Sequence, residues 1–133
     1  MADRYFSPRE VEALIPALTE IVEDLMRAQA EAAEARERLR AEQHRLAMAG
    51  GGMLDQAEWG EAKRRLEHET RRVERGVGEV TKLGGVIKDP GMGLVDFAHL
   101  RAGQVVNLCW KYGEREIRYW HGLDEGYAAR KPL

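Results

Sequence analysis

Cys109, His121, Glu114, Asp96 and Asp124 are the side chains of this chain that could serve a metal ion or a proton transfer. A zinc ion asks for three or four Cys, His or carboxylate donors converging at about 2.0–2.3 Å. No Cys-x-x-Cys pair, His-Glu-x-x-His helix or EF-hand loop is present. Cys109, His121 and Asp124 are the alternative set for an ion. The expectation is no metal and no cofactor, with Cys109 a small buried thiol and His121 hydrogen-bonded at a sheet rim. Nucleophilic chemistry would use Cys109 with His121 and Glu114, and Arg118 would lower the thiol's pKa from across a strand. A Cys and a His twelve residues apart on adjacent strands also arise readily without chemistry. Anion binding is the better site hypothesis. Arg130 and Lys131 in the tail, Arg118 on a hairpin and Arg101 in a turn could converge on a carboxylate or phosphate. The plain alternative is a solvated tail, although the apolar Pro132-Leu133 end argues for a docked one. The residues expected to line a ligand site are therefore Asp96, Cys109, Trp110, Glu114, Arg118, His121 and Arg130.

Two kinds of element must position them. Up to Gly84 the chain is rich in Ala, Glu and Arg; beyond it come Gly, Pro, Val, aromatics and short alternations. Residues 7–83 read as a helical half and 84–133 as a β-rich half. Ser7-Pro8-Arg9-Glu10 is a capping box with Pro at the first helical position, and Phe6 and Val11 stand as its hydrophobic staple. Leu14, Leu18, Ile21, Leu25, Ala28, Ala32, Ala35 and Leu39 then follow a 4-3 spacing, which Glu42 interrupts and Leu46 resumes. Pro16 should bend this helix, and Gly50-Gly51-Gly52 should end it. A second helix starts at the Asp55–Glu58 capping box with Leu54 and Trp59 as staple. Its stripe is Trp59, Ala62, Leu66, Val73, Val77, Val80 and Leu83, its stop Gly84-Gly85, and Gly76 and Gly78 invite fraying. A short loop makes the pair an antiparallel hairpin.

The first helix is the longer, so residues 8–17 overhang its partner. Val11, Ile15, Val22 and Met26 broaden its apolar face beyond what one helix can cover. That surplus must meet the β module or another copy, and a homodimer is expected. In the second half, 85–88, 94–97, 105–112 and 116–121 are strand candidates. The sharpest feature is a hairpin over 105–121 with Gly113-Glu114 as a type II′ turn. That register pairs Trp110 with Ile117, Leu108 with Tyr119 and Val106 with His121, and on the other face Lys111 with Glu116 and Cys109 with Arg118. Cys109 and His121 then lie on opposite faces.

Composition limits the classes. Of the 133 residues 33% are charged, above the ~25% of ordinary globular chains, which suits long solvated helices. Twenty-one basic against 23 acidic residues leave a net charge of −2, with no global attraction to nucleic acid or an anionic membrane. Arg64, His68, Arg71 and Arg75 share a helix face, but Glu61–Arg65 and Glu67–Arg71 pairs with Glu69 and Glu74 break the field, so a salt-bridged solvent face is expected over nucleic-acid binding. No apolar run approaches the ~18–20 residues of a membrane span. The single cysteine and the start Met1-Ala-Asp-Arg-Tyr, which lacks a signal's apolar stretch, point to a cytoplasmic protein.

Gly-Leu-Val-Asp-Phe (93–97), Leu-Cys-Trp (108–110), Gly-Glu (113–114), Trp-His (120–121) and Gly-Tyr-Ala-Ala-Arg-Lys-Pro-Leu (126–133) stand in that order behind an opening Tyr-Phe-Ser-Pro-Arg-Glu. Together they resemble a prokaryotic family catalogued as domain of unknown function 2203, over nearly the whole chain. Ala98 departs from the family's Asp-Phe-Pro. The resemblance implies a bacterial or archaeal cytoplasmic protein and supplies no mechanism.

The expected architecture is α+β, one domain over 1–133: a long coiled-coil-like antiparallel helical hairpin with a small, mostly antiparallel β module at its open end. The expected function is a non-enzymatic interaction or scaffold protein that assembles through its helices and docks an unknown protein partner. The alternative is a small-ligand-binding or catalytic protein, in one version metal-assisted, with its site on the β module. Convergence of the candidate side chains in one pocket favours the alternative, and scattering favours the scaffold. The tail is expected to pack back over the hairpin and the overhang, with Arg130 paired to Asp96 or Glu114.

Overall fold

The computed structural model describes residues 4–48 and 56–133. The expected triple-glycine stop and the Leu54-Asp55 cap lie outside the described residues. Helix α1 (Pro8–Met48) opens with the capping box: the Glu10 amide donates to Ser7 Oγ at 3.1 Å, and the Ser7 amide donates to the Glu10 carboxylate at 2.9 Å. Phe6 and Val11 are both buried in the core. The helix runs unbroken through Pro16, which sits on its exposed side.

Helix α2 (Gln56–Leu83) packs antiparallel along α1. Its buried residues are Ala62, Glu69, Gly76 and Val80, with Leu66, Val73 and Leu83 half-buried between them. That is an unbroken 4-3 series, and it corrects the expected stripe. Val77 is exposed, and Gly76 holds the seam position instead. A Cβ on Gly76 would stand 2.8 Å from Leu25 Cδ1, so the glycine marks a close approach of the helices rather than a frayed turn. Glu69 enters the seam because Arg72 accompanies it: Nη1 donates to Glu69 Oε2 at 2.7 Å while Nη2 reaches Asp24 of α1. Arg65 likewise pairs across the hairpin with Glu31, not with Glu61.

Gly84 (φ 99°) ends α2 in the left-handed region, and the chain enters an antiparallel meander. Its strands are β1 (Val86–Asp89), β2 (Leu94–Arg101), β3 (Gln104–Lys111), β4 (Tyr119–His121) and β5 (Lys131–Pro132), in sheet order 1-2-3-4-5. Ala102 (φ 51°) and Gly103 (φ 79°) turn β2 into β3 as a two-residue loop with both central φ positive, the type I′ geometry that suits strand twist. β2 is therefore longer than expected, and its pairing with β3 is the sheet's main ladder. Val95 and Phe97 of β2, with Leu108 and Trp110 of β3, face the helices and join Val11, Leu18, Val22 and Val80 in one core. Val22 is fully buried, and the tight turn at Gly93 lies against Val22 and Met26. The β module thus covers the apolar surplus of the first helix.

The expected β3–β4 register is corrected by one residue. Asn107 pairs with His121 and Leu108 with Trp120. Gly113 (φ 98°) occupies the third position of a turn closed by the Glu114 amide donating to Lys111 O at 2.9 Å. That is type II rather than type II′. The chain then dips so that Ile117 enters the core, its amide donating to Glu12 Oε1 at 3.1 Å, before β4 begins. One residue of slip turns every side chain of a strand to the other face. Cys109 and His121 therefore share the outer face, away from the helices.

Candidate site on the outer face of the sheet

Asp96 pairs with Cys109 across β2 and β3, and His121 lies beside them on β4. The donor atoms of the three all fall within 4.8 Å of one another. All three side chains are buried, Asp96 being 3% exposed, Cys109 1% and His121 2%. Their cover is the segment after β4, where Glu125, Gly126 and Tyr127 close a space of about 100 Å³ with Lys88.

The imidazole orientation is set locally. His121 Nδ1 lies 2.8 Å from Gly122 O, a carbonyl that can only accept, so Nδ1 carries the hydrogen. Nε2 then points at Asp96, 3.1 Å from Oδ1 and 3.0 Å from Oδ2. Oδ2 is close but misaligned, and it has no hydrogen-bond partner. A neutral imidazole with its hydrogen on Nδ1 presents a lone pair at Nε2. Two acceptors would then face each other, and they demand either a proton between them, on Nε2 or on the carboxyl, or a cation. Burial, and then the Asp96 charge, push the Cys109 thiol up to about 12. That corrects the nucleophile reading: Arg118 does not activate the thiol, because it is exposed and bound to Glu116.

The other predicted residues separate. Trp110 is a core residue whose Nε1 donates to Glu114 O at 2.9 Å. Asp124 is exposed and outside the cluster; Asp96 takes its place. Arg130 Nη2 donates to Glu114 at 2.8 and 2.7 Å and to Cys109 O at 3.3 Å, as one of the two expected pairings has it. Its guanidinium lies 4.2 Å from the Tyr119 ring centre and 4.8 Å from that of Tyr127. Arg101 and Lys131 lie 4.8 and 4.7 Å from the centre of the Trp120 ring, and Lys131 also pairs with Glu125. The four cations of the anion hypothesis do not converge. The tail docks through β5, with Leu133 donating to Arg118 O, and so packs against the hairpin. The overhang of α1 instead meets the β3–β4 connection through Glu12. Lys88, missed in the sequence, borders the cluster because β1 is the sheet's edge; an isolated Lys in a four-residue strand carries no pattern that says so.

Fold and site together define an α+β protein whose helical hairpin backs an antiparallel meander and whose outer sheet face carries a buried Asp–Cys–His cluster. The chain belongs to the family described as Uncharacterized conserved protein (DUF2203), whose model matches residues 4–133. No curated protein and no solved structure matches it. No helix among the described residues is long and apolar enough to cross a membrane.

Proposed function

We propose that this protein binds a transition-metal ion of the zinc class through Asp96, Cys109 and His121, and through it a small ligand. The observation that carries this reading is the buried Asp96 carboxylate, with one oxygen lacking a hydrogen bond, facing Nε2 of a histidine already committed at Nδ1. A tetrahedral ion at ~2.0–2.3 Å holds its donors roughly 3.3–3.8 Å apart, and the three donor atoms here all lie within 4.8 Å of one another. Thiolate, imidazole and carboxylate together suit zinc better than magnesium or calcium. Three protein donors leave one coordination position for water or a ligand, as in catalytic rather than structural zinc sites. Of the apolar surplus on α1, Val11 and Val22 are fully buried within the chain, so those two residues do not call for a second copy.

The test is titration of the reduced protein with Zn²⁺ by calorimetry, and with Co²⁺ for its sulfur-to-metal absorption. One ion per chain and a thiolate–cobalt band are expected. Cys109→Ser, His121→Ala and Asp96→Asn should each weaken binding by about a hundredfold, comparable to or beyond the usual loss on removing a supporting partner. Binding that is unchanged in Cys109→Ser, or absent from the wild-type chain, overturns the reading.

A further inference from the structure

A second concavity opens beside the cluster on the same face of the sheet. Its volume is about 710 Å³, within the range of small-molecule sites. The sheet supplies Val86, Ala98, Val105 and Asn107, the N-terminal segment adds Tyr5, and Leu123 stands where β4 ends. Val86 is 54% exposed, Leu123 60% and Tyr5 41%: three large apolar side chains left in water around one groove. Asp96 and Lys88 line both this groove and the smaller space at the cluster. The apolar trough therefore ends at the ion-binding side chains.

Charge selects what can lie in it. A divalent ion held by one thiolate, one carboxylate and a neutral imidazole is balanced. Lys88 makes no ion pair among the described residues and leaves one positive charge at the mouth of the cluster. The complement is a single negative charge on an oxygen donor. An extended peptide is disfavoured because the edge of β2 beyond β1 is already taken: Phe6 donates to Ala98 O at 2.7 Å, which leaves no free edge there for strand addition.

We infer that the groove binds a monocarboxylate with an apolar body, its carboxylate between Lys88 and the cluster-bound ion and its body along Val86, Ala98, Val105 and Leu123. This rests on the metal reading above and names the ligand class of that same site. Ala98 is the residue that makes the floor low enough; a larger side chain there would fill the trough.

The experiment uses the full chain loaded with Co²⁺ and titrated with octanoate, octanol and acetate, read by the visible cobalt spectrum and by calorimetry. Octanoate should bind about tenfold or more tightly than acetate, because its body is buried, and should shift the cobalt bands, whereas octanol should leave them in place. Lys88→Ala and Leu123→Asp should each weaken octanoate about fivefold or more without weakening Co²⁺ binding, as expected when an ion pair or an apolar contact to the ligand is removed. Ala98→Phe should abolish octanoate binding, and the exposed Leu123 variant keeps the test intact if Ala98→Phe does not fold. Octanoate no tighter than acetate overturns the groove assignment. Tight octanoate binding with unmoved cobalt bands overturns the placement of the head. A dimer in which Val86 and Leu123 are protected assigns the groove to a second copy and overturns the inference. Failure of Co²⁺ itself to bind overturns the metal reading, an outcome distinct from the other three.

Discussion

Arg130 is held from several directions at once. Its Nη2 meets both Glu114 oxygens and Cys109 O, while the rings of Tyr119 and Tyr127 flank its plane. The side chain is 10% exposed and that of Glu114 26%, so the pair is more than a surface ion pair. Removing one member of a partly buried, hydrogen-bonded pair costs about 1–3 kcal/mol. Arg130→Ala should lose that much in urea unfolding, and Arg130→Lys should recover little, because an ammonium cannot replace a planar group between two rings. Deleting 127–133 should lose more, since β5 goes with it. Arg130→Ala indistinguishable from wild type would show that the tail is held without its arginine. This pairing was readable in the sequence because Glu114 sits in a turn whose position the Gly113 signal marks. Asp96 was not so readable. Its partner is settled by which face His121 takes, and that depends on a register that local residue types do not determine.

At the scale of elements, the two helices were legible from their spacing, and the exceptions are instructive. Gly76 and Glu69 break the hydrophobic pattern yet occupy the seam, one because the backbones touch there and the other because Arg72 neutralises it. No hydropathy pattern distinguishes a glycine that lets helices approach from one that merely weakens them. Gly76 and Gly78 therefore make a paired test. Gly76→Ala should destabilise by about 1–3 kcal/mol through overpacking on Leu25. Gly78, whose Cβ position meets nothing within 4 Å, should gain stability of up to about 1 kcal/mol as Ala. Thermal melts of the two single variants check this, and equal shifts would contradict the close approach. In the sheet, strands near 86, 94, 105 and 119 were foreseen, with Arg101 in the turn between the second and third, but Arg101 ends β2 and the turn is the tight Ala102-Gly103 pair, which Ala, a poor marker of positive φ, did not signal. The β3–β4 register failed for a different reason. Gly113 suits both turn types, and the later dip of Ile117 into the core is a tertiary choice.

For the molecule as a whole, helical hairpin and sheet share a core to which both halves contribute. The sheet's inner face uses the apolar surplus of α1, which leaves the outer face to carry the polar cluster and the exposed groove. The cover over that cluster is lightly fastened compared with the ladder beneath it. β2 and β3 pair along their whole lengths, whereas the cover rests on the two-residue strand β5, the Arg130–Glu114 contact and an exposed Lys131–Glu125 pair. Segments held so unequally open in order, the weaker first. Cys109 then meets solvent in brief local excursions while the sheet stays folded. Modification of its thiol by iodoacetamide should run faster than global unfolding allows, depend shallowly on urea, and accelerate in Arg130→Ala. A rate that climbs as steeply with urea as unfolding itself would mean that cover and sheet open together. If the cover lifts alone, the rate at which this face exchanges its contents is set by the last dozen residues, independently of how stable the rest of the protein is.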